Sequence, residues 1–139
     1  MTDTPALSIF DMFGSSEDAA ENGKWFDFGP SMKVKIRRFK SKKSRKVREE
    51  LEAPYKRVAQ FGAVLPDDVQ DSIGTAHVAH GLIADWKGVL NKDGTEIPYS
   101  KDAALDLCSR LPEFRDAIAN ISVSLDNFRE EQKTAIEGN

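Results

Sequence analysis

Apolar residues recur at Leu111, Phe114, Ile118, Ile121, Leu125 and Phe128, at spacings that alternate between three and four. This stripe constrains the fold most, because such spacing keeps side chains on one side of an α-helix but scatters them over both faces of a strand. It predicts a helix over about 111–133, opened by Pro112, whose missing N–H is tolerated in a first turn. The stripe spans fewer than three heptads, which favours a helix packed on a core over a coiled coil.

Other segments carry weaker helical signals. Ser100 can cap a helix over about 100–109, with Asp102 in its first turn. Pro66, Asp67 and Asp68 open a helix predicted to run over 66–86, with Val69, Ile73, Ala76, His80 and Ile83 on one face. Residues 41–62 form a third helical stretch, capped by Ser41 or Ser44, with Val47, Leu51, Tyr55 and Val58 on one face. Pro54 lies inside it and should break or kink it. Residues 87–99 read as a loop with a turn at Asn91–Gly94.

One segment reads differently. From Met32 to Arg37, apolar and cationic residues alternate strictly, the period of a strand with one face on a core. With Trp25–Phe28 before it and Gly29-Pro30-Ser31 as the turn, residues 24–39 are predicted to be a β-hairpin. Residues 1–22 read as a flexible arm around the apolar knot Leu7–Phe13. The expected fold is therefore mainly α: a helical domain over 23–139 with an N-terminal β-hairpin and a flexible N-terminal arm.

Composition narrows the function. The chain has 139 residues, 40% apolar and 31% charged, which suits one domain with a real core. No run approaches the ~18 apolar residues that a membrane span needs. Cys108 is the only cysteine, so neither an intrachain disulfide framework nor a cysteine zinc cluster can form. Residues 1–7 lack the basic start and apolar run of a signal peptide, so a cytosolic, reducing setting is expected.

Motifs of catalysis are sparse. No P-loop, dinucleotide fingerprint or Gly-x-Ser-x-Gly occurs. His77 and His80, with Asp85 nearby, offer fewer ligands than a zinc site wants, and His80 falls on an apolar stripe, which fits a core or boundary histidine better. Cys108 sits on an apolar face between Leu105 and Leu111, as a buried thiol would. Asp93-Gly94 lacks the spaced oxygen ligands of a calcium loop and reads as a turn. The expectation is a protein that is not an enzyme and takes no cofactor or metal.

Charge is segregated. Of the 20 Lys and Arg, ten lie between Lys33 and Arg48 with no acid among them, and the other ten share the remaining chain with all 23 Asp and Glu. Such asymmetry usually means contact with an acidic partner, whether a protein, another copy or nucleic acid, and a basic face that is simply solvated reads as well as a protein-binding patch. Only Phe39 interleaves as an aromatic, which is poor for base stacking, so nucleic acid is the least favoured of these. The candidate partner-binding residues are thus Leu7, Phe10 and Phe13 of the arm, Lys33, Lys35, Arg37, Lys42, Lys43 and Arg45 of the basic block, and Phe114 and Phe128 of the apolar stripe.

Two groups of short words carry a resemblance. The first is Gly23-Lys24-Trp25-Phe26, Val34–Arg38 and Ala53-Pro54-Tyr55-Lys56-Arg57. The second is Ile83–Val89, which contains Asp85-Trp86-Lys87-Gly88-Val89, then Asp93-Gly94, Ile97–Ala104, Leu111-Pro112-Glu113-Phe114 and Leu125–Phe128. Together, over about residues 23–130, the chain resembles the tail assembly chaperones of long-tailed, non-contractile bacteriophages. The resemblance implies a small, mostly helical, non-enzymatic protein. It would bind the tape measure protein, keep that long apolar chain soluble, and help recruit tail tube subunits. It would act in the host cell cytoplasm and leave before the virion matures. The family often also makes a longer, frameshifted form.

Copies could associate head to tail into rings or spirals, with the 33–48 block of one copy meeting the acidic 126–137 region of the next. The alternatives are a small basic-faced nucleic-acid-binding or regulatory phage protein, and a permanent tail or connector component.

Overall fold

The structure, a computed structural model, describes residues 6–129. The basic hairpin forms as its alternation requires. Strand β1 (Lys24–Asp27) pairs antiparallel with β2 (Lys33–Ile36), with Phe26 opposite Val34 and Trp25 opposite Lys35. Val34 and Ile36 point into the core and are fully buried.

A third strand was not expected. The helix predicted over 66–86 ends early: α5 spans Asp67–His77, a π turn covers Val78–Leu82, and Ile83–Lys87 is β3, antiparallel to β2 on the side away from β1. Lys35 pairs with Asp85 but Ile36 pairs with Ile83, so Ala84 is the extra residue of a bulge. That bulge lets Ile83 and Trp86, three positions apart, both enter the core. A spacing of three in an apolar segment mimics a helix, which is why the sequence reads as one there.

The helix predicted over 41–62 breaks where Pro54 stands. α3 (Lys42–Glu52) is capped by the Ser41 hydroxyl, which accepts from the Ser44 N–H, and passes through a 3-10 turn at Ala53–Tyr55 into α4 (Lys56–Gln60). α6 (Lys101–Arg110) starts at a Ser100 cap, and α7 (Pro112–Val123) starts at the expected proline. α7 is shorter than the predicted 111–133, because the chain turns extended at Ser124 and forms a 3-10 turn over Leu125–Phe128. The part of that prediction beyond residue 129 lies outside the described residues.

The described part of the arm, from residue 6, forms two short helices. α1 (Ile9–Phe13) is a single capped turn with no buried residue, whereas α2 (Glu17–Asn22) docks on the body. Ala20 is buried, the Ser16 N–H donates to the Phe128 carbonyl, and the Arg38 N–H donates to the Ala20 carbonyl. The helices cover one face of the sheet. The core between them joins Val34, Ile36, Leu82, Ile83, Trp86, Cys108, Ile118 and Phe128. The other sheet face is polar apart from Trp25, whose ring lies 4.5 Å below Lys87 Nζ and 6.0 Å from Lys35 Nζ.

Candidate interaction surface

Among the described residues, two segments each expose several large apolar side chains, while Phe39, Leu90, Leu111 and Val123 are exposed singly. In the arm, Leu7, Phe10 and Phe13 are exposed, as are Ile9 and Met12, and Phe10 is 81% accessible. α1 is tied to the body by Arg129, which donates to the Met12 carbonyl at 2.7 Å. The second segment is α4 and the loop after it, where Val58, Phe61 and Val64 are exposed, the last two at 86% and 84%. The sequence placed Val58 on a buried face in phase with Val47, but the 3-10 turn at Pro54 shifts that phase and turns the segment outward.

The stripe of α7 goes the other way. Phe128 is completely buried, edge-on to Phe26 with ring centroids 5.8 Å apart. Phe114 is half-buried and edge-on to Phe28 at 6.2 Å. Of these two stripe residues named as partner-binding, Phe128 is therefore core, not surface, and Phe114 mostly supports the hairpin. Leu111 is the stripe residue left half-exposed.

The basic block divides into a tied part and a free part. Arg37 donates through Nε to the Glu21 carbonyl, Arg38 through Nη1 to Ser15 Oγ, and Lys43 through Nζ to Asn22 Oδ1, so all three hold α2 in place. Lys33 pairs with Asp27 at 3.8 Å, and Lys35 lies beside Trp25. Lys42 and Arg45, with Lys40 and Lys46, are exposed and form no ion pair with a described residue. The positive first turn of α3 opposes its own dipole. Both oxygens of the Glu21 carboxylate answer it by accepting the Lys42 and Lys43 N–H groups, at 2.8 and 3.2 Å. No apolar period announces that contact. Of the acidic region 126–137, Asp126 pairs with Arg129 at 3.2 Å, and residues 130–137 lie outside the described residues.

The titratable groups singled out from the sequence have structural surroundings. His77 is buried, its Nε2 2.8 Å from Ser44 Oγ and its ring edge-on to Phe39. Burial first, and the Arg48 charge second, hold its pKa below the ordinary value. Gly81 packs under that ring: a Cβ there would lie 2.9 Å from His77 Cδ2. His80 is half-buried, with Nε2 3.2 Å from the Lys101 carbonyl. The Cys108 thiol is buried and pushed up to about 11 by desolvation. Asp93 closes the turn by accepting from the Thr95 N–H and hydroxyl, and those bonds lower its pKa. Among the described residues, no group of three His, Cys, Asp or Glu is placed to hold a metal ion, and no helix is long and apolar enough to cross a membrane. A depression of about 570 Å³ between α5, α6 and α7 is crossed by Arg115, which bonds Asp71 and Thr75, both at 3.0 Å.

The short words around Trp86, Gly88 and Tyr99 are staples of the fold. Trp86 is buried and donates Nε1–H to the Ile97 carbonyl at 2.8 Å, locking the 88–97 loop to β3. Gly88 takes φ +68°, and a Cβ there would collide with the Ser31 carbonyl. Tyr99 packs edge-on against Trp86 at 5.2 Å, and Ser100 caps α6.

No curated protein and no solved structure matches the chain. A family model described as YdaY prophage protein matches residues 33–139, from β2 onward, which is well over half of the sequence. The matched stretch holds the free cations, the α4 segment and the whole helical layer from α3 to α7, so the chain belongs to the YdaY prophage protein family.

Proposed function

We propose that this prophage protein is a non-catalytic assembly factor, a tail assembly chaperone that binds the tape measure protein and keeps it soluble until tail tube subunits arrive. The observation that carries the reading is the pair of segments, α1 and the α4 loop, in each of which several large apolar side chains are exposed together, whereas Phe39, Leu90, Leu111 and Val123 are exposed singly. Exposed apolar surface of this kind suits a partner that is itself apolar and helical. The resemblance of the Asp85–Val89 and Pro98–Ser100 words to phage tail chaperones supports the same class of fold.

The direct test is co-purification. Tagged chain and the tape measure protein of the same prophage are expressed together, and the tag is pulled. Retention of the tape measure protein is the expected result, and its absence from the eluate would remove the reading. Purified virions should lack the chain by mass spectrometry, whereas a permanent tail component would be present there.

One observation favours a second reading. Lys40, Lys42, Arg45 and Lys46 form an exposed cationic cluster around the start of α3. If that cluster binds nucleic acid, duplex DNA should bind tightly at low salt and be lost steeply as salt rises. Weak, shallow binding is expected if the cluster serves a protein partner.

A further inference from the structure

The acidic part of the arm lies on the most basic part of the body. Residues 15–22 carry Glu17, Asp18 and Glu21 and no cation. Residues 37–46 carry Arg37, Arg38, Lys40, Lys42, Lys43, Arg45 and Lys46 and no acid. Other carboxylates bound this surface. Glu49 and Glu50 stand one turn beyond Arg45 and Lys46 on α3, and Asp85 stands opposite Lys35 on the sheet. Between those limits, around Arg37, Arg38, Lys42 and Lys43, the acids in contact are the arm's own.

The arm's hold is polar and shallow. α2 buries Ala20 alone, and α1 has no buried residue. Among the described residues, Glu21 is the one arm acid that bonds the block, whereas Asp18 accepts from Asn22 within α2. The side chains of three block cations meet neutral oxygens instead: Arg37 the Glu21 carbonyl, Arg38 the Ser15 hydroxyl and Lys43 the Asn22 amide oxygen. Anionic oxygens would serve them better, because both partners would then carry charge. The family match begins at residue 33, so the arm lies outside it.

We propose that α2 is an autoinhibitory cover on a nucleic-acid surface. It lifts when a phosphate backbone offers Arg37, Arg38 and Lys43 anionic oxygens in place of neutral ones. The covered cations then extend the exposed cluster of Lys40, Lys42, Arg45 and Lys46. A duplex carries about one charge per 1.7 Å of its axis, whereas α2 brings three carboxylates over six residues, ~9 Å. The duplex therefore outcompetes the helix for the same cations. The inference rests on the nucleic-acid reading of the exposed cluster, not on the chaperone reading.

The test uses the full chain, a short labelled DNA duplex and two variants, with folding checked by circular dichroism. Glu21→Ala loosens the cover, and Glu17→Ala makes the same change in net charge without touching the block. By fluorescence anisotropy at low salt, Glu21→Ala should bind the duplex about tenfold more tightly than the wild type, and Glu17→Ala within about twofold of it. Hydrogen exchange on the wild type needs no variant. Saturation with duplex should quicken amide exchange in α2 and slow it over residues 37–46. Exchange in α2 that is unchanged or slower on bound DNA would overturn the inference and leave the nucleic-acid reading standing, as would equal gains from the two variants. No binding by the wild type or by Glu21→Ala would remove both. Polyglutamate stands in for an acidic protein partner. If it frees α2 and the duplex does not, the cover serves a protein and the inference falls.

Discussion

His77 shows how one buried polar group sets conditions on the fold. Its pKa is lowered in the folded chain, so the unfolded chain binds the proton more readily as pH falls through the ordinary value of 6.5. Folded His77 resists protonation, so stability is full above that value and declines below it, down to the folded pKa. Urea unfolding should give a lower midpoint at about pH 6 than at about pH 7.5. His77→Gln should flatten that difference, and an unchanged slope would show that other groups control it. Ser44→Ala leaves the ring nitrogen buried without its partner and should cost about 1–3 kcal/mol. Cys108 makes a simpler claim. With its thiol pushed up to about 11 and no exposure, a thiol-reactive chromogen should label it only at the rate of unfolding. Rapid labelling of the folded chain near pH 8 would contradict the packing described. The burial of this thiol was legible from its place between Leu105 and Leu111. That His77, not His80, is the more buried histidine was not, because the π turn at Val78–Leu82 rotates the two away from their helical phase.

At the scale of elements, the joints between segments carry specific requirements. Gly88 combines positive φ with a collision between any Cβ and the Ser31 carbonyl, whereas Gly94 has positive φ and open space around it. Gly94→Ala should therefore cost about 1 kcal/mol, and Gly88→Ala about 2–4 kcal/mol, by urea unfolding. Equal costs would mean that the hairpin does not press on β3 there. Glu21→Ala removes the carboxylate from the α3 N-terminus and should cost about 1–2 kcal/mol, with faster amide exchange in α2 and the first turn of α3.

The sequence foretold those elements whose signals are local. Strict alternation marked the hairpin, serines marked the starts of α3 and α6, and Pro54 marked a break. It misled where a long-range contact decides. The Ala84 bulge disguised β3 as helix, because Ile83 and Trp86 sit three apart in a strand. The docking of α2 rests on backbone hydrogen bonds, the Glu21 carboxylate and the side chains of Arg37, Arg38 and Lys43, which leave no apolar period to read. The outward turn of Val58, Phe61 and Val64 follows from the phase shift after Pro54. The Phe114 to Phe128 stripe identified a buried face correctly as helix packing, but its last member is reached through a 3-10 turn after α7 has ended.

For the whole molecule, the division of labour is between a filled core and apolar groups held outside it. The family match covers residues 33–139: β2, β3, the 88–100 loop, the helices behind them and the α4 segment, but not α1. The exposed apolar clusters lie on α1 and the α4 loop, with the exposed cations of α3 between them along the chain. Neither apolar segment supports the core, so their substitution should leave stability almost unchanged while altering what the protein binds. The central claim is that this outer apolar surface lends itself to the tape measure protein. The most direct measurement is the soluble yield of the tape measure protein expressed alone, with the wild-type chain, and with the Phe10→Glu, Phe61→Glu double variant. The account predicts an insoluble client alone, a soluble one with the wild type, and a return to the pellet with the double variant despite its normal folding. A client that is equally soluble in all three cultures, or one rescued equally by both forms of the chain, would contradict it.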